Sequence, residues 1–117
     1  MEDRLNPIAP EDADESTLGG YTAVHGRAPS FEASDGSPYT VALEIDESEE
    51  EPGSYAAYLI FLRWANEGSA IMGHVETGDL ATGATAEEAR AELEKLTLTR
   101  VKEILDEAIA RKRDELA

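Results

Sequence analysis

The amino-acid sequence predicts an α+β fold, in which an antiparallel meander of four or five strands is followed by two C-terminal helices packed on one face of the sheet. Strand patterns fill residues 21–76, and helical periodicity begins only at Thr85. Because the strands precede the helices and do not alternate with them, we do not expect a parallel sheet with crossover helices. The length of 117 residues fits one domain with one modest core.

The first 18 residues predict a disordered acidic tail. They contain six acidic residues, two prolines and few large apolar side chains. Such a segment buries too little apolar surface to offset the entropy that it would lose on ordering. The pair Gly19-Gly20 marks the predicted boundary. Residues 19–117 then form the predicted single α+β domain.

The first predicted strands are short. Residues 21–26 predict a strand that ends before Pro29, because proline cannot donate to a central ladder. Residues 31–33 predict a second one, and an Asp-Gly turn follows it. Residues 39–46 alternate apolar and polar side chains, which is typical of a half-buried strand in an antiparallel sheet.

Residues 55–65, with the sequence YAAYLIFLRWA, give the strongest signal in the chain. With the two-residue period of a strand, they are apolar on both faces. A strand of this kind needs cover above and below. An acidic loop over residues 47–54 precedes it, and a turn at residues 66–69 leads into a last predicted strand at residues 70–76.

Two helices are predicted after Thr85. Thr85 and Glu88 form a capping box, in which the threonine hydroxyl accepts from the third helical N–H and the glutamate reaches back. The phase of the apolar stripe changes near Thr97, which predicts a second helix with Thr99 as its N-cap. The two stripes consist of Ala86, Ala89, Leu93 and Leu96, and then of Leu98, Val101, Leu105, Ala108 and Ile109.

The composition narrows the classes of partner. The net charge is −16, from 26 acidic and 10 basic residues, so direct binding to nucleic acid or to an anionic membrane is disfavoured. The chain has no cysteine, which excludes disulfides and thiolate zinc sites. No signal peptide or membrane span is predicted, and a cytoplasmic protein is expected. The acidity is interpreted as surface hydration, with attraction to a basic protein as the alternative.

Candidate chemistry is sparse. His74 and Glu76 face the same side of the last predicted strand and Asp79 follows, a set that suits a divalent metal or a base with its orienting carboxylate. A metal site needs a third convergent ligand, and His25 supplies one only if the first strand pairs beside the last. We predict no catalytic residues, no metal and no cofactor, with a small metal-dependent hydrolase kept as an alternative function.

One face of the two-sided strand is the predicted interaction surface. It consists of Tyr58, Ile60, Leu62 and Trp64, and Met72 on the next strand is expected to extend it. Leaving these side chains in water would forgo on the order of 10 kcal/mol. The two helices cover only one side of the sheet. Three covers for the other side stay open: residues 21–33 folding over it, a second copy of the chain, or a foreign partner or ligand.

These observations predict a non-enzymatic protein-interaction module that self-associates through its apolar sheet face. An alternative from another class is an antitoxin-like or inhibitor protein that engages a basic partner. The segment of residues 80–89, LATGATAEEA, is similar to a turn in HicB-type antitoxins, where a strand runs into a Gly-x-Thr-x-Glu-Glu-Ala helix start. The likeness covers about ten residues and is mostly a capping box, so we interpret it as convergent helix-start chemistry.

Overall fold

The computed structural model describes residues 14–67 and 69–116. It has an antiparallel sheet and two C-terminal helices, as the sequence predicts. The elements in chain order are α1 (Leu18–His25), β1 (Ser30–Glu32), β2 (Pro38–Glu47), β3 (Tyr55–Trp64), β4 (Ile71–Glu76), β5 (Ala81–Gly83), α2 (Ala86–Glu94) and α3 (Leu98–Leu116). No helix within the described ranges combines the length and the apolar character that a bilayer span requires.

The sheet is a meander in the order β1-β2-β3-β4, and every pair is antiparallel. The long hairpin of β2 and β3 forms its centre, with Glu47 opposite Tyr55 at the acidic loop. The short strand β5 was not predicted. It pairs with the first residues of β3, Tyr55–Ala57. The strand β4 pairs only with the later residues of β3, from Ile60 to Trp64, and leaves these first residues free.

The prediction of a strand at residues 21–26 is wrong, because residues 21–25 belong to α1 and Gly26 is its C-cap. Thr17 is the N-cap, and its hydroxyl accepts from the backbone N–H of Gly20 at 3.0 Å. Gly26 ends the helix in the left-handed conformation, at φ 69°, and its N–H donates to the Thr22 carbonyl. Gly20, one of the two glycines at the predicted domain boundary, allows the backbone to pack closely. An added Cβ on Gly20 would overlap the backbone of Asp14.

Residues 14–18 fall in the predicted tail, and here they are tied to the helical layer. Thr17 forms an isolated antiparallel bridge with Thr97. The Leu18 N–H donates to the Leu96 carbonyl at 2.8 Å, and the Leu18 side chain is only 1% exposed. Residues 1–13 lie outside the described residues.

The N-cap of α3 is Thr97, and the prediction of Thr99 is wrong. The Thr97 hydroxyl accepts from the backbone N–H of Arg100 at 3.1 Å. The helix therefore begins at Leu98, two residues earlier than predicted. The capping box of α2 is confirmed: the Glu88 N–H donates to the Thr85 hydroxyl at 3.1 Å, and the Glu88 carboxylate accepts from the Ala84 N–H at 2.9 Å.

The core lies between one face of the sheet and the helices. The predicted apolar stripes of α2 and α3 supply most of its helical part, and alternate residues of β2 and β3 supply most of the rest. The cluster consists of Leu18, Ala33, Tyr39, Val41, Ala57, Leu59, Phe61, Val75, Ala89, Leu93, Val101, Ile104, Leu105, Ala108 and Ile109. We call the face of the sheet that carries these side chains the core face, and the opposite one the outer face.

Candidate interaction surface

The central strand β3 sends large apolar side chains to both faces of the sheet. Its core-face residues Ala57, Leu59 and Phe61 have no exposed surface. The large apolar residues that alternate with them, from Tyr58 to Trp64, are only half-buried. These outer-face residues are Tyr58, Ile60, Leu62 and Trp64, which we call the outer strip.

The chain does not bring its own N-terminal segment over the outer strip. Leu18 and Ala33 belong to the core cluster, and Ala28 and Phe31 pack against it. The segment that was one of the expected covers therefore lies on the core face, and that expectation is wrong. No residue of the outer strip belongs to the core cluster.

Two hydrogen bonds hold the aromatic side chains of the outer strip in place. The Trp64 Nε1 donates to the Thr40 hydroxyl on the neighbouring strand β2 at 2.9 Å. The Tyr58 hydroxyl donates to the Asp46 carboxylate at 3.3 Å. Both rings are thus oriented before any partner arrives, which lowers the entropy that binding would cost.

Carboxylates flank the outer strip on both sides. The register places Glu44 on β2 opposite Tyr58, and Glu76 on β4 opposite Ile60. Burial, together with the charges of Asp46, Glu76 and Glu44, raises the pKa of Tyr58. The outward residues of β2, β3 and β4 include no lysine or arginine. The surface is therefore an apolar strip with a negative border.

Met72 does not occupy the position expected for it. A β-bulge lies between the pairs Arg63–Gly73 and Trp64–Ile71, so Met72 has no partner on β3. Ile71, 55% exposed, is the β4 residue opposite Trp64. Met72 lines a cavity on the helical side instead. The signal for the bulge is Gly73, whose φ of 155° is open to glycine and rare for other residues.

The weak metal candidates are placed close together but remain exposed. His74 Nε2 lies 3.6 Å from Glu76 Oε2, and both side chains are more than half exposed. His25 does not join them, because it lies in α1 and its Nε2 is 3.1 Å from Glu15 Oε1. Within the described ranges, no group of three or more His, Cys, Asp or Glu residues is placed to hold a metal ion. Asp79 follows β4 and is exposed.

Comparisons of this chain with protein-family models, with curated proteins and with solved structures found no match.

Proposed function

We propose that this protein is a non-enzymatic protein-interaction module and that the outer strip is its binding surface. The observation that carries this proposal is the half-burial of Tyr58, Ile60, Leu62 and Trp64 on the face opposite the core cluster. Completing the burial of large apolar side chains is a strong driving force for association. We place this module in the cytoplasm, which a hydrated, carboxylate-rich composition supports.

The border of the strip favours a partner with apolar and basic side chains. An isologous dimer through this face would bring the carboxylates of Glu44, Asp46 and Glu76 towards their own copies. Like charges that face each other across an interface oppose association, whereas lysine or arginine beside apolar side chains would complement this border. The self-association expected from the sequence is therefore the second candidate, and the two differ in their response to salt.

The proposal is tested with Trp64, the only tryptophan in the chain, as the reporter. A synthetic peptide of alternating leucine and lysine should shift the Trp64 fluorescence and saturate. The same peptide with glutamate in place of lysine should not. Binding should weaken as salt is added, because screening reduces the attraction between peptide and border.

Matched variants separate the outer strip from the general charge of the protein. Leu62→Glu should weaken binding of the leucine–lysine peptide at least tenfold. Ala91→Glu adds the same charge on the exposed side of α2 and should leave binding unchanged. Equal weakening in both variants would contradict the outer strip as the binding surface.

Light scattering decides between the two occupants. A monomer at low and at high salt supports a basic partner. A dimer that tightens with added salt and dissociates in Leu62→Glu would show that a second copy covers the strip, since salt screens the repulsion between the two borders.

A further inference from the structure

A second apolar surface lies on the opposite side of the sheet, between residues 72–75 of β4 and the C-terminal half of α3. It is a cavity of about 550 Å³, within the range of small-molecule sites. Its lining consists of Tyr39, Arg63, Met72, Gly73, His74, Val75, Ile109, Lys112, Arg113 and Leu116. We call it the β4–α3 cavity.

The floor of the β4–α3 cavity is apolar, and its mouth is apolar too. Tyr39, Val75 and Ile109 belong to the core cluster and form the buried part of the lining. Met72 is 54% exposed and Leu116 is 79% exposed. These are two of the four exposed large apolar residues in the described part of the chain, and both line this one cavity.

The polar part of the lining is cationic, in contrast to the rest of the molecule. Arg63, Lys112 and Arg113 line the cavity, and its lining includes no aspartate or glutamate. Glu115 of α3 does not line this cavity. It lines an adjacent, smaller cavity of about 240 Å³. In a chain with a net charge of −16, this is a local reversal of sign.

Backbone carbonyls hold two of these cations in place without neutralising them. Arg63 Nη2 donates to the Met72 carbonyl at 3.1 Å, and Lys112 Nζ donates to the His74 carbonyl at 2.7 Å. Neither forms an ion pair with a carboxylate among the described residues, whereas Arg90 and Lys102 do. The charges of Arg63 and Lys112 are therefore positioned and still available.

The β-bulge of β4 allows this arrangement. The Arg63 guanidinium lies across Gly73, where an added Cβ would contact its Nη2 at 3.6 Å. The Asp35 carboxylate meets the hydroxyl of Tyr39, which lines the cavity. It is already engaged, since it accepts from the Tyr39 hydroxyl at 2.8 Å and from the Ser37 N–H at 2.9 Å.

We propose that the β4–α3 cavity binds a small amphipathic carboxylate, a molecule with an unbranched apolar chain and one anionic head. The apolar chain of the ligand would lie against Tyr39, Ile109 and Leu116. Its anionic head would accept hydrogen bonds from Arg63 and Lys112. Charge-assisted hydrogen bonds beside an apolar pocket give such a ligand both affinity and orientation. This site is separate from the outer strip and does not depend on its function.

The probe is decanoate, kept below its micelle concentration and titrated into the full chain by calorimetry. Decan-1-ol and decyltrimethylammonium are the matched neutral and cationic probes. Decanoate should bind saturably, the alcohol at least tenfold more weakly, and the cation not at all. Backbone amide shifts in the NMR spectrum should change at Gly73, Ile109 and Leu116.

Variants test the two cations. Lys112→Gln and Arg63→Gln should each weaken decanoate binding about tenfold, the effect of losing one hydrogen bond to a charged group. Lys95→Gln removes an exposed, ion-paired lysine at the end of α2 and should change nothing. Lys112 is exposed, so its variant keeps the test valid if Arg63→Gln disturbs the bulge.

Three results would overturn the inference. The first is the absence of saturable decanoate binding. The second is equal binding of decanoate and decan-1-ol, which would leave no role for the cations. The third is a set of NMR amide shifts confined to Tyr58, Ile60 and Trp64, which would mean that decanoate binds to the outer strip.

Discussion

The two faces of β3 differ in cover, although they are built from the same kinds of residue on the same backbone. On the core face, Leu59 and Phe61 are completely buried under the helices. On the outer face, Ile60 and Leu62 are half-buried by their neighbours within the sheet. An apolar strand face therefore predicts a need for cover, and the helices that follow in the sequence meet that need on one side only.

The largest expected difference between the faces is in the cost of removing a leucine. Leu59→Ala should lower the free energy of unfolding by about 2–5 kcal/mol, because it leaves a cavity in the core. Leu62→Ala should lower it by about 1 kcal/mol or less, since water already reaches that side chain. Urea denaturation of both variants measures the difference. Equal losses would mean that the outer face is covered in solution.

The tyrosines of the two faces should differ in their effect at alkaline pH. Burial raises the pKa of Tyr39, on the core face, to about 12 from an ordinary value of 10.0, and the hydrogen bond to Asp35 adds to the shift. The unfolded chain loses this proton first. The stability contributed by neutral Tyr39 is therefore fully present below about pH 10 and is lost as the pH rises through about 12, roughly 2–3 kcal/mol in total.

This loss is measured by urea denaturation at a series of alkaline pH values. Tyr39→Phe has no ionisable hydroxyl and should show a weaker decline over the same interval. Tyr58→Phe, on the outer face, is the matched control. It keeps Tyr39 and should therefore still show the decline that ionisation of Tyr39 causes. If the Tyr39→Phe variant declined as steeply as the unmodified protein, the buried hydroxyl would not be the cause.

The cover of the core face depends on where α3 begins. Thr97→Ala should lower the free energy of unfolding by about 1 kcal/mol, because it removes the N-cap hydroxyl that accepts from Arg100. Thr99→Ala should change it by less than about 0.5 kcal/mol, as expected for an exposed site without a cap. Thermal denaturation of the two variants compares the cap in the structure with the cap predicted from the sequence. A larger loss in Thr99→Ala would favour the latter.

The smallest expected effect concerns the negative border of the outer strip. Asp46→Asn should lower the pKa of Tyr58 towards its ordinary value, because it removes both a negative charge and a charged acceptor. Absorbance of the ionised tyrosine during a pH titration measures the shift. Glu87→Gln, on the exposed first turn of α2, should leave the pKa of Tyr58 where it is. The same shift in both variants would indicate a general effect of net charge.

Local signals in the sequence predicted much of the fold. The alternation of β2, the two-sided pattern of β3 and the capping box of Thr85 and Glu88 are all present as expected. Each of these features depends on residues within a few positions of one another. The period of a strand and the geometry of a cap are fixed by the backbone, so they can be read without knowing the partners.

Three features depend on contacts between distant residues and were missed. Residues 18–25 form a helix because Thr17 is held by its bridge to Thr97 and Gly20 packs closely against the chain. The strand β5 exists because the edge of β3 is free beside it. The bulge at Gly73 moves Ile71 opposite Trp64 and leaves Met72 to line the β4–α3 cavity. Only the bulge has a local signal, Gly73, and a single glycine in a strand does not specify which residues end up opposite each other.

The sequence alone determined that one strand is apolar on both sides and that two amphipathic helices follow the sheet, because these properties are periodic and local. Which side of the sheet the helices and the N-terminal segment cover depends instead on contacts between residues far apart in the chain. The same contacts set which cations have no carboxylate partner among the described residues, as with Arg63 and Lys112 beside β4. The reason is that the burial of a sheet face and the pairing of charges depend on three-dimensional position. That position is set by the strand register and the β-bulge, which residues far apart in the sequence establish together.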